Sequence, residues 1–376
     1  MSVPIAALCR SPFTRAQGAL AGWHPVDLAA EVMNETLRRA DLDPDDIDEI
    51  WVGCAEPVGA QGANMARAAV LTAGWPDRIG GAVIDRAETS GAAALHAAAA
   101  AIHAGTIRSA LVLGVSASST VPPGAAALGR TYGRPWGTGP AQRTEHAGGL
   151  TPAPVAADHA AARSGIGRAE QEGWSRRSHE RRGDADPSTL VSIAARPGDR
   201  LAVQRGAPVE RDEPREMPAD ASSLPPSFDP EGSVTSFTFS PPADGVAAVL
   251  LRVDAASTTP AIAAVGRAAG DPLDPTGGLD RAAVLACAGL GCDPADLDRW
   301  ELVEPTAAAA LVAIERLRVP PDRVNVDGGT LGVGDAAAAD ELRLIVDAVA
   351  SNRTPALVGC ASFGPTGAAV TILRCP

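Results

Sequence analysis

The 376-residue sequence has no lysine, so every full positive charge rests on arginine, and the acidic residues outnumber these to leave a formal net charge of −13. That balance argues against a nucleic-acid surface. No apolar run reaches the roughly 18 residues needed to span a bilayer, and the start MSVPIAALCRSPFTR has neither a basic n-region nor a long apolar h-region. A soluble, cytoplasmic protein is expected. Metal-ligand spacing is also missing: Cys9, Cys54, Cys287, Cys292, Cys360 and Cys375 are scattered, and Cys287 with Cys292 has no matching second pair. Most of them read as small buried residues in a reducing compartment. The stretch GTLGVGD is glycine-rich but lacks the spacing of a phosphate loop, so no nucleotide site is read there.

What is present is apolar residue content of 45%, enough for a sizeable core, and a length beyond one ordinary domain. Two domains, or a duplicated unit with an insertion, fit that length. DLDPDDIDEIWVGCAEP (41–57) returns about 250 residues later as GCDPADLDRWELVEP (291–305). Each copy holds Asp-Pro-x-Asp-(Ile/Leu)-Asp, an opening for a helical turn, between an amphipathic helix and an apolar strand. SALVLGVSAS (109–118) and TPALVGCASF (354–363) repeat in the same order, so the chain reads as duplicated.

Between the copies the composition turns rich in Pro, Gly and Ser, broken by the polar helix GRAEQEGWSRRSHERR (167–182). We therefore divide the chain into an N-terminal half (1–118), an inserted lid or binding subdomain (119–240) and a C-terminal half (241–376). Strands and helices alternate from VPIAALC through helices at 25–40, 63–73 and 89–104 to SALVLGVSA, which predicts an α/β fold. The 89–104 helix is alanine-rich on every side and must be buried, as two sheets sharing buried helices would allow.

These stretches resemble the thiolase superfamily from end to end. CRSPF looks like the family's Ala-Arg-Thr-Pro opening, and GANMARAAVLTAGWP (62–76) like its Gly-x-Asn-x-Ala-Arg-x-Ala helix. The 167–182 helix is similar to the loop-domain helix with Arg-x-Glu-Gln-Asp and Ser-His-x-Arg. LPPSFDPEGSVTSFTFSPPADGVAAVLL (224–251) resembles the segment leading through Asn-Ala-Ser-Gly to Asp-Gly-Ala-Ala. VNVDGGTLGVGD (324–335) and GCASFGPTGAAVTIL (359–373) resemble the last two blocks. The resemblance implies duplicated βαβαβαββ halves in a five-layered α-β-α-β-α sandwich, an inserted loop domain holding CoA, an acyl-CoA or acyl-carrier substrate, no tightly bound cofactor, and a homodimer.

The departures from the family blocks matter more than the matches. The thiolase nucleophile is a cysteine in Val-Cys-Gly-Ser-Gly at the start of the buried helix, where the dipole lowers the thiol pKa. AETSG stands there, so Glu88 takes the cysteine position and Ser90 and Gly91 are kept. Asn-Glu-Ala-Phe corresponds to VEPT, with Val303 for the asparagine and Glu304 retained. Gly-His-Pro corresponds to Gly334, Asp335 and Ala336, so Asp335 replaces the histidine, and all six histidines lie at or before residue 179. Cys360 matches the acid/base cysteine, followed by SFG. On the CoA side the resemblance implicates Ser240 near the pantetheine arm, Arg181 toward a phosphate, and Gly364; Phe237 and Phe239 replace small residues beside Ser240.

Without a thiolate and an imidazole, Claisen condensation through an acyl-cysteine is not expected. Two chemistries remain for Glu88. Converging with Asp335, it would share a proton as an acid/base pair suited to hydrolysis, decarboxylation, retro-aldol or lyase chemistry. As a nucleophile it would form an acyl-glutamyl anhydride, as enzymes that transfer CoA do. The candidate catalytic set is Glu88, Asp335, Cys360 and Glu304. The alternative is a catalytically silent subunit that binds acyl-CoA or completes a partner enzyme.

Overall fold

A computed structural model of the chain describes residues 2–128, 133, 135–144, 151–182, 187–195, 206–256, 258–351 and 356–376. Parts of the 119–240 insertion therefore lie outside the described residues. The first half runs β1 (Val3–Arg10), β2 (Thr14–Arg15), α1 (Pro25–Ala40), β3 (Glu49–Gly53), α2 (Met65–Thr72), β4 (Gly80–Ile84), α3 (Ser90–His103) and β5 (Ser109–Ala117). The insertion contributes α4 (Ala125–Leu128), α5 (Thr138–Thr144), α6 (Ala153–Ser164), α7 (Arg168–Arg182), β6 (Ile193–Ala194) and β7 (Pro208–Val209). After it come β8 (Ala243–Arg252), β9 (Ala261–Ala268), α8 (Leu279–Ala288), β10 (Arg299–Leu302), α9 (Ala307–Leu317), α10 (Asp340–Ala350), β11 (Leu357–Gly364) and β12 (Gly367–Arg374).

Local chemistry sets the helix ends. Pro25 opens α1 after His24, whose Nδ1 accepts from Val26 N, and Asp41 closes it in a left-handed conformation. The repeated Asp-Pro motif forms the same device twice: Asp43 and Asp46 cap a 3₁₀ turn reciprocally before β3, and Asp293 and Asp296 do so before β10. Duplication is thus visible in the caps as well as in the element order. The second copy shortens one strand, because the counterpart of the β3–β4 pairing is a single parallel bridge between Trp300 and Val324.

The strands follow the order β10-β11-β12-β9-β1-β8-β5-β3-β4, with β2 alongside β8. The two halves join where Val3 and Pro4 pair with Ile262 and Ala261. This corrects the boundary read at residue 241. β8 follows the insertion in sequence but pairs along its length with β5 and with β1, so it completes the N-terminal sheet, and the second half starts at β9.

Three apolar layers define the stacking. One packs α1 and α2 on the outer face of the N-terminal sheet, through Val32, Met33, Val52, Ala66 and Leu113. A second places α8 and α9 with α6 and α7 outside the C-terminal sheet, around Trp300, Ala309 and Phe363. Between the sheets, Ala94, Leu95 and Ala98 of α3 and Leu342, Ile345 and Val346 of α10 meet Val112 and Val249 on one side and Val358 and Leu373 on the other. The result is α-β-α-β-α, with the alanine-rich helix in the central layer as expected.

Alanine and glycine permit this close approach. A Cβ on Gly91 would lie 2.0 Å from the carbonyl oxygen of Ala338, a backbone atom unable to swing away. Gly91→Ala is therefore expected to destabilise the fold by about 2–3 kcal/mol through overpacking, read as a lower denaturation midpoint. Gly173, on α7 with open space around its missing Cβ, is the control, and alanine there is expected to be neutral or stabilising. Equal effects at both positions would contradict the packing argument.

Candidate active site

Glu88 immediately precedes the N-cap of α3, on a turn held by its own side chains. Asp85 Oδ1 accepts from Ala87 N (2.9 Å), while Ser90 Oγ accepts from Arg86 N (2.8 Å) and donates to the carbonyl of Ala87 (2.6 Å). Ala87 sits at φ +48°, a conformation alanine rarely adopts, and the turn carries Glu88 toward the β11–β12 hairpin. There Thr366 Oγ1 donates to Glu88 Oε2 at 2.6 Å. Gly364 lies beneath the carboxyl group, and a Cβ on it would come within 2.8 Å of Glu88 Cδ. Burial of the carboxyl group raises its pKa against the Thr366 bond, and the charges of Asp335 and Asp85 push the same way.

Asp335 arrives from the other half of the duplication. Its backbone is clamped to the strand entering β8, by Asp335 N to Pro241 O and Ala243 N to Asp335 O, both 2.7 Å. Its Oδ1 accepts from Ala337 N (2.7 Å), in a turn where Ala337 takes φ +43°. Glu88 and Asp335 thus occupy corresponding places, each on a strained turn leading to a central helix. Burial raises the Asp335 pKa, opposed by the Ala337 N–H and by a hydrogen bond from Asp340. Both carboxylates belong to half-buried residues, so the pair is not sealed within the core.

The remaining candidates lie elsewhere. Glu304 is fully buried, and its carboxylate accepts from Trp174 Nε1, Asn325 Nδ2, Ser178 Oγ and Leu331 N at 2.7–3.1 Å. Four donors fix it as the tie between α7 and the C-terminal half. Ser240 Oγ donates to the Glu304 carbonyl (2.6 Å), and Arg181 donates to the carbonyls of Val324 and Asn325 (both 3.2 Å). Cys360 is fully buried in the central apolar layer, where burial first and then Glu301 and Glu341 push its thiol well above the ordinary range. Of the residues named from sequence, the structure therefore brings together Glu88, Asp335 and Gly364. Phe237 stacks near His179, Phe239 meets Phe228 edge-on, and Phe363 fills the C-terminal core.

Sequence reasoning missed Thr366 and Asp340. Thr366 was available in the GPTG turn of the last block, and Asp340 as the acidic residue ending the DAAAAD run.

A second polar cluster lies in the central layer. Glu341 accepts from Ser362 Oγ and from Thr371 Oγ1 (2.7 Å), and Thr371 also meets His96 Nε2 at 2.9 Å. Burial lowers the His96 pKa to about 3, so it is a neutral core residue. Burial likewise raises Glu341 to about 7. A folded pKa above the unfolded one gives stability that is complete below the unfolded value and lost as pH rises through about 7. Glu341→Gln is accordingly expected to flatten the pH dependence of stability between about pH 4.5 and 7.5, gaining on the order of 3 kcal/mol at the alkaline end. Parallel wild-type and variant profiles would contradict it.

A family model described as "Thiolase, N-terminal domain" matches residues 3–255, two thirds of the chain and all of the sheet through β8. The chain belongs to the thiolase family. Within the family it is similar to a 3-ketoacyl-CoA thiolase of Pseudoalteromonas translucida, at 32% identity covering 89% of this chain and 88% of the relative. An acetyl-CoA acetyltransferase of Chromobacterium violaceum is 31% identical, with 92% of each chain covered. A steroid 3-ketoacyl-CoA thiolase of Mycobacterium tuberculosis is 28% identical over 87% of this chain and 82% of its own length. Among the described residues, no helix is long and apolar enough to cross a membrane, and no cluster of His, Cys, Asp or Glu is placed to hold a metal.

Proposed function

We propose that this thiolase-family chain acts on an acyl-CoA by acid/base chemistry between Glu88 and Asp335. The observation that carries the reading is their convergence at the starts of the two central helices, with unlike surroundings. Burial, with the charges of Asp335 and Asp85, raises the Glu88 pKa against its one hydroxyl donor and so favours the neutral acid. Burial raises Asp335 as well, but a backbone N–H and the Asp340 hydrogen bond oppose it and favour the anion. Neighbouring negative charges add to burial at Glu88, whereas at Asp335 only hydrogen bonds act beside burial, and on that difference we assign the acid to Glu88 and the base to Asp335. Asp335 would take a proton from the carbon next to the thioester carbonyl, and Glu88 would give its own proton to the carbonyl oxygen. An enol then forms instead of an enolate facing two negative charges. Raised pKa also disfavours Glu88 as the nucleophile of an acyl anhydride, since a protonated carboxyl group attacks poorly.

The reading takes CoA thioesters as substrate from the names of the relatives, and a homodimer from the family; β4, a half-exposed apolar edge strand, is where a second copy would add. A second reading, a subunit that binds acyl-CoA or completes a partner enzyme, is favoured by the full burial of Cys360 in the central apolar layer. The test incubates the pure protein with a panel of acyl-CoAs in deuterated water. Deuterium at the α-carbon or an altered acyl chain, lost in Glu88→Ala, is the expected outcome. Binding without exchange, with turnover only when a neighbouring protein is added, would overturn it in favour of the second reading.

A further inference from the structure

We propose that Asp340 is a positioning residue that shares one proton with Asp335 and thereby holds Asp335 ready as the base facing Glu88. The proposal rests on the acid/base reading above, and three observations carry it. First, Asp340 is fully buried at the first position of α10, and its Oδ2 accepts from Ala336 N (3.0 Å) while its Oδ1 has no donor among the described residues. The side chain next to it is the Asp335 carboxyl group, within hydrogen-bonding reach. Ionising both carboxyl groups would set the half-buried Asp335 charge against a fully buried one on Asp340, whereas one proton between them removes that repulsion and supplies the missing donor.

Second, the nearest cation does not provide that donor. Arg343 Nε is 3.9 Å from Asp340 Oδ1, and its Nε and Nη2 make no hydrogen bond among the described residues. Its closer ion pair is with Asp347, at 3.0 Å from Nη1.

Third, the buried charges balance for one proton only. Arg10, Arg182 and Arg343 are linked through Asp212 and Asp347, giving three positive and two negative charges. A single negative charge on the Asp335–Asp340 pair brings this cluster to neutrality. Two would leave an uncompensated anion, and none an uncompensated cation. The groups facing the pair are Glu88 from the turn before α3, Arg343 and Asp347 along α10, and beyond them Arg10 of β1 and Arg182 of α7. Burial and Asp335 both raise Asp340, while Asp340 lowers Asp335, so the proton resides mainly on Asp340.

The test is spectroscopic and needs no substrate. The full-length protein, labelled with ¹³C at aspartate carboxyl groups only, is titrated by infrared difference spectroscopy, so that Glu88, Glu301 and Glu341 do not contribute. At pH 7 one protonated aspartate is expected in the wild type and none in Asp340→Asn, whose amide still donates to Asp335. Asp335→Asn is expected to lose the signal as well, since Asp340 then accepts from the new amide and ionises beside Arg343. No protonated aspartate at neutral pH, or a signal that survives Asp340→Asn, would overturn the proposal. If the α-exchange reaction is found, Asp340→Asn should keep its acid limb, and Asp340→Leu, lacking a donor, should move that limb to higher pH. An unmoved limb in Asp340→Leu would overturn the positioning role even with the shared proton in place. Absence of any turnover would sink the acid/base reading alone, since the titration still decides whether the proton is there.

Discussion

Replacing Asp347 with asparagine is expected to destabilise the folded chain by about 3–5 kcal/mol, the usual cost of removing one partner from a buried ion pair. Asp347 is the node of the interior charge network. It accepts from Arg10 Nε at 2.8 Å, Arg182 Nη1 at 2.8 Å and Arg343 Nη1 at 3.0 Å. Those arginines come from β1, α7 and α10, so one carboxylate ties the first strand, the inserted domain and a central helix together. Asp212 closes the ring by accepting from Arg10 and Arg182. Phe13 completes the site, with the guanidinium carbons of Arg10 and Arg343 5.8 and 5.6 Å from its ring centre. In the Asp347→Asn variant the three cations would lose the one carboxylate they all share, and Arg343, fully buried, would keep only the more distant Asp340, 3.9 Å from its Nε.

The sign of the pH effect follows from the same contacts. Burial raises the pKa of Asp347, but the charges of Arg10, Arg182 and Arg343 outweigh it and lower the folded value. Stability from such a group is present above the unfolded carboxylate range, near pH 4, and lost as pH falls through the folded value. The variant should therefore lose most at neutral pH and converge on the wild type only in strong acid. Asp45→Asn, at the exposed Arg78–Asp45 pair, is the comparison, expected to leave the denaturation midpoint essentially unmoved. Similar losses in the two variants would show that the interior network contributes little.

The sequence carried the architecture because the physics that builds it is local. An Asp-Pro-x-Asp run can cap a turn wherever it occurs, so two copies in matching positions announced the duplication, and both form the same reciprocal cap. An alanine helix with no polar stripe has to be largely covered, and α3 is, apart from Ala100 and His103 toward its C-terminal end. Partnership was less legible. β8 reads as an apolar strand, but nothing in ADGVAAVLLR tells which sheet it joins, and position after the insertion misled the boundary. β11 is almost wholly buried, so it lacks the alternation that would reveal whether Cys360 points into the central layer or toward the reactive turn. The charge network depends on residues up to 337 positions apart, beyond the reach of any motif. At the reactive carboxylates, matching blocks located Glu88 and Asp335, whereas Thr366 and Asp340 act through contacts that only the fold creates.

Glu88→Gln is expected to lower kcat/KM for α-proton exchange on an acyl-CoA by about 10²–10⁴, the range for removing a positioned general acid. Glutamine nearly preserves the shape against Gly364 and can still accept from Thr366, so the loss reports the missing proton and not a cavity. The pH profile separates the roles. A base must be ionised and an acid protonated, so the acid limb of a bell-shaped profile belongs to Asp335 and the alkaline limb to Glu88. Glu88→Gln should abolish the alkaline limb and leave the acid one, and Asp335→Asn the reverse. Glu88→Cys supplies a further check, because a thiol there would face the Asp335 charge instead of an imidazole, which raises its pKa and works against the helix dipole. Restoring the cysteine alone should thus give no acyl transfer to CoA, while Glu88→Cys combined with Asp335→His should begin to. Full exchange in Glu88→Gln, or ready acyl transfer by Glu88→Cys alone, would mean that the carboxyl pair is a bystander in this site.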